Sequence, residues 1–188
     1  MTTPSQPNWD SFRSYLLFLA GHHLPDRLKG KVEAGDLVQQ TLLQACQKGD
    51  QYRGNSDAEA AAYLRTILKR LIVDLYRTYY SEKRDAELER SLDVSFEQSS
   101  IFAEGILQSP PSSPSRRAMR YEEADQLNQA LRQLPEDQLQ AIRLRHMQNL
   151  SVEQTAQAMD KTHAAVAGLL RRGLKRLREL MGPREQDS

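Results

Sequence analysis

Leu150-Ser-Val-Glu-Gln-Thr-Ala-Gln-Ala-Met-Asp-Lys-Thr-His-Ala-Ala-Val166-Ala-Gly-Leu-Leu-Arg-Arg172 reads as two short helices joined by a tight turn. Ser151 precedes the first helix with Gln154 three residues on, the spacing of a reciprocal N-terminal cap. Ala156 is small where a second helix must cross closely, and Met159 anchors the turn. Asp160 stands where a left-handed residue is wanted; glycine suits that position best, but Asp tolerates it better than most residues. Thr162 is placed to cap the second helix. Val166, Leu169, Leu170, Leu174 and Leu177 then recur on one side of it as an inward stripe.

The opposite side carries a different chemistry. Lys161 and Thr162 open it, followed by His163, Ala164, Ala167, Gly168, Arg171, Arg172 and Lys175. In a helix-turn-helix, the first turns of the second helix reach base edges in the major groove and later cations meet phosphates. Small residues at 164, 167 and 168 permit close approach, and a glycine inside a helix costs about 1 kcal/mol against alanine. Amphipathicity alone would favour a mere helical hairpin with a solvated basic face. The caps, the turn residue and the basic helix together point to DNA.

Charge distribution supports that reading where net charge does not. The 188 residues sum to only +1. Residues 1–95 hold 13 basic and 13 acidic side chains, whereas residues 116–184 hold 13 basic and 8 acidic. Within residues 161–180 six cations face a single acid, Glu179. A local stripe of this kind is the footprint that matters for phosphate.

Composition sets the class. Hydrophobic residues make up 39% and aromatics only 6%, with helix formers in place of β-branched runs, so an all-α chain is expected. Cys46 is the single cysteine, which excludes an internal disulfide framework and a cysteine-based zinc site. No HExxH pattern, phosphate-binding glycine loop or GxSxG elbow is present, and His22-His23 closes a helix. No catalysis, metal or cofactor is expected. The N-terminal residues show no signal peptide, and the apolar run 15–20 is too short to span a bilayer. A cytoplasmic protein without membrane insertion follows.

Two small helical domains are expected, residues 1–94 and 119–184, joined by an extended linker over 95–118. The linker assignment rests on Ser109-Pro110-Pro111-Ser112-Ser113-Pro114-Ser115, where prolines remove amide donors and bar helix. Ile101, Phe102, Ile106 and Leu107 are its candidate contact points. Before it, helices are predicted over 9–22, 34–48 and 58–87. The first has Phe12, Tyr15, Leu16 and Leu19 on one side, and the third carries apolar pairs at Tyr63/Leu64, Ile67/Leu68 and Leu71/Ile72. Ser56 or Asp57 caps that third helix. After the linker, helices are predicted over 122–134, 136–147, 151–159 and 162–180, with Pro135 as a break and helix start.

Leu134-Pro135-Glu136-Asp137-Gln138-Leu139, then Leu150-Ser151-Val152-Glu153-Gln154 and residues 166–180, resemble region 4 of sigma factors of the extracytoplasmic-function group. Residues 36–45, then Tyr52-Arg53-Gly54, then residues 62–74, resemble region 2 of the same group. The resemblance implies core RNA polymerase and promoter DNA as partners, with an anti-sigma factor as a further one. It implies that Asp36, Gln39, Gln40 and Leu43 dock on the clamp helices of the large polymerase subunits, and that region 4 meets the flap. It assigns Arg53, Gly54, Asn55 and Ser56 to the loop that takes a base flipped from the −10 element. Arg65, Lys69 and Arg70 would face −10 DNA, and the helix 162–180 would read the −35 element. The linker of this group threads the RNA exit channel, where Glu97 and Glu104 would be its acidic groups.

Two departures bear on specificity. Asp160 replaces the group's usual turn glycine, and Ala167-Gly168 stands where a Lys-Ser pair is common. Single-strand binding joins stacking rings to positive charge; Tyr63, Tyr76, Tyr79 and Tyr80 are near, but Tyr63 lies on the apolar stripe. The alternative is a helix-turn-helix regulator with a helical partner module, which gives no reason for residues 36–45 together with Tyr52-Arg53-Gly54.

Overall fold

A computed structural model of the chain describes residues 7–80, 85–107 and 124–182. Every regular element among them is helical. A 3₁₀ turn, Trp9–Phe12, leads into α1, Arg13–His23. α2 is Ala34–Gln47, a second 3₁₀ turn spans Gly49–Gln51, and α3 is Asp57–Tyr80. α4 is Asp85–Leu107. Residues 124–132 form α5, followed by α6, Glu136–Ile142, and a wide π turn, Arg143–Met147. α7 is Val152–Ala158 and α8 is His163–Met181.

The chain divides into two compact units, one running to Phe96 and the other built from residues 97–108 and 126 onward. In the first, α1, α2 and α3 share one core. Leu16, Phe18 and Leu19 of α1 meet Leu37 and Val38 of α2 and Leu64, Leu68 and Ile72 of α3, all essentially without exposure. Each such side chain contributes about 1.5–3 kcal/mol relative to staying in water. The expected side of α1 was Phe12, Tyr15, Leu16 and Leu19; all four are buried, and Phe18 is buried with them. α1 is therefore enclosed more fully than a one-sided stripe suggests. Thr41 is buried inside α2 because its Oγ1 donates to the Leu37 carbonyl, 2.7 Å away.

The third helix and the linker need correction. α3 stops at Tyr80, short of residue 87, and a separate helix begins at Asp85. Residues 95–107, expected as extended linker, continue that helix. The cause is that the first proline of the run is Pro110. Upstream of it, helix-compatible residues place Leu92 and Phe96, then Phe102 and Ile106, four apart, and all four are buried. Of the anticipated contact points, Phe102 and Ile106 are buried within the second unit and Ile101 is exposed. The side chain of Leu107, and the Pro/Ser run itself, lie outside the described residues.

In the second unit, Leu127, Leu131, Ile142, Val166 and Leu177 form the centre. Pro135 stands at the N-cap of α6, as its missing N–H allows. The helix expected over 136–147 tightens only to Ile142 and then widens into the π turn.

Candidate nucleic-acid interface

The turn between α7 and α8 is built by short-range bonds. Ser151 Oγ accepts from the Gln154 amide at 3.1 Å, and Gln154 Oε1 accepts from the Ser151 amide at 2.8 Å. Asp160 takes φ 50°, in the left-handed region. The Lys161 amide donates back to the Ala156 carbonyl at 3.0 Å, and Thr162 Oγ1 accepts from the Ala165 amide at 3.2 Å to start α8.

These bonds fix which side of α8 faces out. Val166, Leu170 and Leu177 are buried, with Leu169 and Leu174 half-buried. Gly173, also buried, is the residue at which α8 crosses α6: a Cβ there would lie 2.9 Å from Ile142 Cδ1 and 3.2 Å from Gln138 Cβ. The sequence drew attention to Gly168 instead, whose nearest neighbour is the flexible Arg172 side chain.

His163, Ala164, Ala167, Arg171, Arg172 and Lys175 are exposed on the other side, and Gly168 is half-buried among them. The structure thus brings the expected DNA-reading residues onto one face. Three of the expected contacts have partners already. Lys161 Nζ pairs with Asp137 of α6 at 3.2 Å, and His163 Nε2 lies 3.3 Å from Glu153 of α7. The Glu153 carboxyl is held below the usual carboxylate range by its own backbone amide, by Ser151 and by His163. Lys175 shares Glu179 with Arg176 at 3.9 and 3.7 Å. Arg171 and Arg172 form no ion pair among the described residues.

In the first unit, Asp36, Gln39, Gln40 and Leu43 occupy one exposed side of α2 at spacings of three and four. Leu43 is 55% exposed, unusual for a leucine on a helix whose other apolar residues are enclosed. The loop between Tyr52 and α3 is short and internally braced. Ser56, rather than Asp57, is the cap: its Oγ accepts from the Glu59 amide at 3.3 Å. Glu59 reaches back, accepting from the Asn55 amide at 2.8 Å and the Ser56 hydroxyl at 3.1 Å. Those two donors hold the Glu59 carboxyl below its ordinary pKa, the Asn55 bond most strongly. Arg53 and Asn55 point outward, and Gly54 is half-buried.

The three α3 cations differ. Arg65 is half-buried and its Nη1 donates to the Tyr15 hydroxyl at 2.9 Å. Lys69 Nζ donates to both oxygens of Asp93 in α4 and lies 3.4 Å from Glu89. Arg70 is exposed. Only Arg70, of the three, stands open to a ligand without rearrangement. Tyr63 packs with Tyr52 and Trp9, and Trp9 was not foreseen at this site; nothing local marks it, since the contact spans more than forty residues.

No group of His, Cys, Asp and Glu suited to a metal occurs among the described residues, and no described helix is long and apolar enough to cross a membrane.

Comparison with known proteins places both units. No curated protein matches the chain by sequence. Among solved structures, a chain of the "Cocrystal structure of the flagellar sigma/anti-sigma complex, Sigma-28/FlgM" is similar at 16% identity, over 90% of this chain and 91% of that one, with a TM-score of 0.38. That likeness is too low to bear on function. The family models are specific: residues 9–81 match sigma-70 region 2 and residues 124–177 match sigma-70 region 4. With the two regions present in one chain and in that order, the protein belongs to the sigma-70 family of transcription initiation factors.

Proposed function

We propose that the chain binds core RNA polymerase and directs initiation at particular promoters, with no catalysis of its own. Residues 1–94 act as the polymerase- and −10-binding domain, and residues 119–184 as the −35-binding domain. The observation that carries this reading is the joint presence of regions 2 and 4. A helix-turn-helix regulator with an unrelated partner module leaves the match over residues 9–81 without a cause.

Each surface has a role. The exposed face of α8 enters the major groove of the −35 element, with His163 and Ala164 nearest base edges and Arg172 and Lys175 on phosphates. Arg53, Gly54, Asn55 and Ser56 receive a base flipped from the −10 element, and Arg70, with Arg65 and Lys69 once released, meets the melted strand. Asp36, Gln39, Gln40 and Leu43 dock on the clamp helices, Leu43 giving the apolar contact. Region 4 meets the flap, and an anti-sigma factor is a further partner that would compete for these faces.

The test is transcription in vitro with core polymerase on a genomic library. Purified chain should add discrete start sites that share −35 and −10 sequences. A start-site profile identical to that of core polymerase alone overturns the reading.

A further inference from the structure

We propose that Trp9 is a positioning residue for the −10 loop, acting through Tyr52 without touching DNA. The inference rests on the assignment of residues 53–56 to the flipped base.

The loop is shaped by the ring at its own start. A Cβ at Gly54 would fall 2.1 Å from Tyr52 Oη and 2.4 Å from Cζ, so the phenol lies directly against the Gly54 backbone. Tyr52 Oη donates a long bond, 3.4 Å, to the Ser56 carbonyl. Backbone from 54 to 56 is therefore laid over the Tyr52 ring, and only glycine fits at its closest point. Moving the ring moves the loop.

What holds the ring comes from elsewhere in the chain. Tyr52 meets Trp9 edge to face, with centroids 5.1 Å apart at 78°, and meets Tyr63 of α3 at 5.3 Å. Trp9 and Tyr63 close the triangle at 5.8 Å. Such offset and edge contacts are favourable and directional. Trp9 is 5% exposed, yet its indole N–H is buried with no hydrogen-bond partner among the described residues. A buried donor left unpaired costs free energy, so packing, and not hydrogen bonding, keeps the indole there. Burial, with Glu59 and Asp57 nearby, raises the Tyr52 pKa.

A residue that only fills the core is indifferent to which −10 sequence is bound; a positioning residue is not. Holoenzymes with Trp9→Leu and Trp9→Phe are compared on a promoter library randomised in the −10 element with a fixed −35 element. Trp9→Leu should flatten the preference at one −10 position by about tenfold, with affinity for core polymerase and −35 preference unchanged. Trp9→Phe should restore most of it, since the ring contact returns. Tyr63→Leu, which removes another side of the triangle, should reproduce the loss.

Three results overturn the proposal: an equal drop across all −10 sequences, an unchanged preference, or loss of helical signal in both leucine variants, which makes the rings core and nothing more. Asn55→Ala in the same library separates this from the underlying reading. If it alters −10 preference while Trp9→Leu does not, positioning fails and the loop assignment stands. If neither alters it, the loop assignment fails too.

Discussion

Lys69 Nζ lies 2.8 and 3.0 Å from the two carboxylate oxygens of Asp93, 24 residues further along the chain. The Lys69 side chain is only 13% exposed. Its burial alone would pull the ammonium pKa down, but the bonds and charges of Asp93 and Glu89 outweigh it and leave the pKa raised. One ammonium group thus ties α4 to α3 while also standing among the cations assigned to −10 DNA. It cannot serve both at once. Neutralising the carboxylates with Glu89→Gln and Asp93→Asn should cost about 1 kcal/mol of local stability, read as faster amide exchange over residues 87–100. The same variant should bind single-stranded DNA more tightly, and adding Lys69→Ala should cancel that gain. Unchanged exchange together with unchanged binding contradicts both uses.

Glycines 168 and 173 respond oppositely to alanine. At 173 the new methyl meets Ile142 and Gln138 of α6 at 2.9 and 3.2 Å, and overpacking of that kind costs about 1–3 kcal/mol. The gain in helix propensity, about 1 kcal/mol, offsets part of it. Gly173→Ala should therefore lower the stability of the second unit. At 168 the close neighbour among the described residues is a movable arginine tip, so Gly168→Ala should raise stability by up to about 1 kcal/mol. Urea titration of the full-length variants gives both signs in one experiment.

His146 makes the second unit sensitive to acid. Burial, and then the charge of Arg145, hold its pKa below the ordinary histidine value of about 6.5, and its ring stacks on Phe102 at 5.4 Å. A histidine with a depressed folded pKa favours the folded state above the unfolded value. That contribution is lost as pH falls from about 6.5 through the folded pKa. Thermal stability should fall between pH 7.5 and 5.5 for the native chain, and His146→Phe should reduce the slope. Equal slopes exclude His146 as the titrating group.

Leu43→Asp should abolish binding to core polymerase without changing helical content. The site is 55% exposed on α2, so the isolated chain tolerates a carboxylate, whereas an apolar contact with the polymerase would have to desolvate it. Circular dichroism and a polymerase pull-down decide between docking and core roles. Loss of helical signal assigns Leu43 to the core.

Arg171 is exposed on the face of α8 that His163 begins, two turns away. Arg172 and Lys175, exposed beside it, are the phosphate contacts proposed above. Arg171→Ala should therefore relax the choice at one −35 base pair, by about 1–3 kcal/mol, and leave other positions unaffected. His163→Ala should shift a different position and also free Glu153, 3.3 Å away. A uniform loss over a randomised −35 library, with a salt slope lower by about one, would instead place Arg171 on a phosphate.

How far the sequence could be read depended on the range of each interaction. The Ser151–Gln154 box, the Thr162 cap and the left-handed Asp160 are settled within three or four residues, and all three were legible. The exposed face of α8 followed from periodicity, and that of α2 from the resemblance to region 2. What escaped reading was set at distance. Trp9 against Tyr52 and Lys69 against Asp93 leave no trace in local spacing. Gly168 and Gly173 are equivalent by any local rule, and only the crossing with α6 separates them. The assignment of 95–107 as extended extended the influence of Pro110 backwards too far, because proline restricts mainly the residue before it and the buried Leu92, Phe96, Phe102 and Ile106 decide the rest.

Helical residues 95–107 also set a mechanical constraint. These residues, the last 13 of α4, cover about 20 Å as a helix and about 43 Å when drawn out. Roughly half the reach of this segment is thus stored as coiled contour. A narrow channel that admits only extended chain can take up these residues after their turns unwind and Phe102 and Ile106 leave the enclosure they now occupy. The segment would behave as a spring, its extension resisted by its own hydrogen bonds and by the burial of Phe102 and Ile106, and any partner that drew it out would have to replace both.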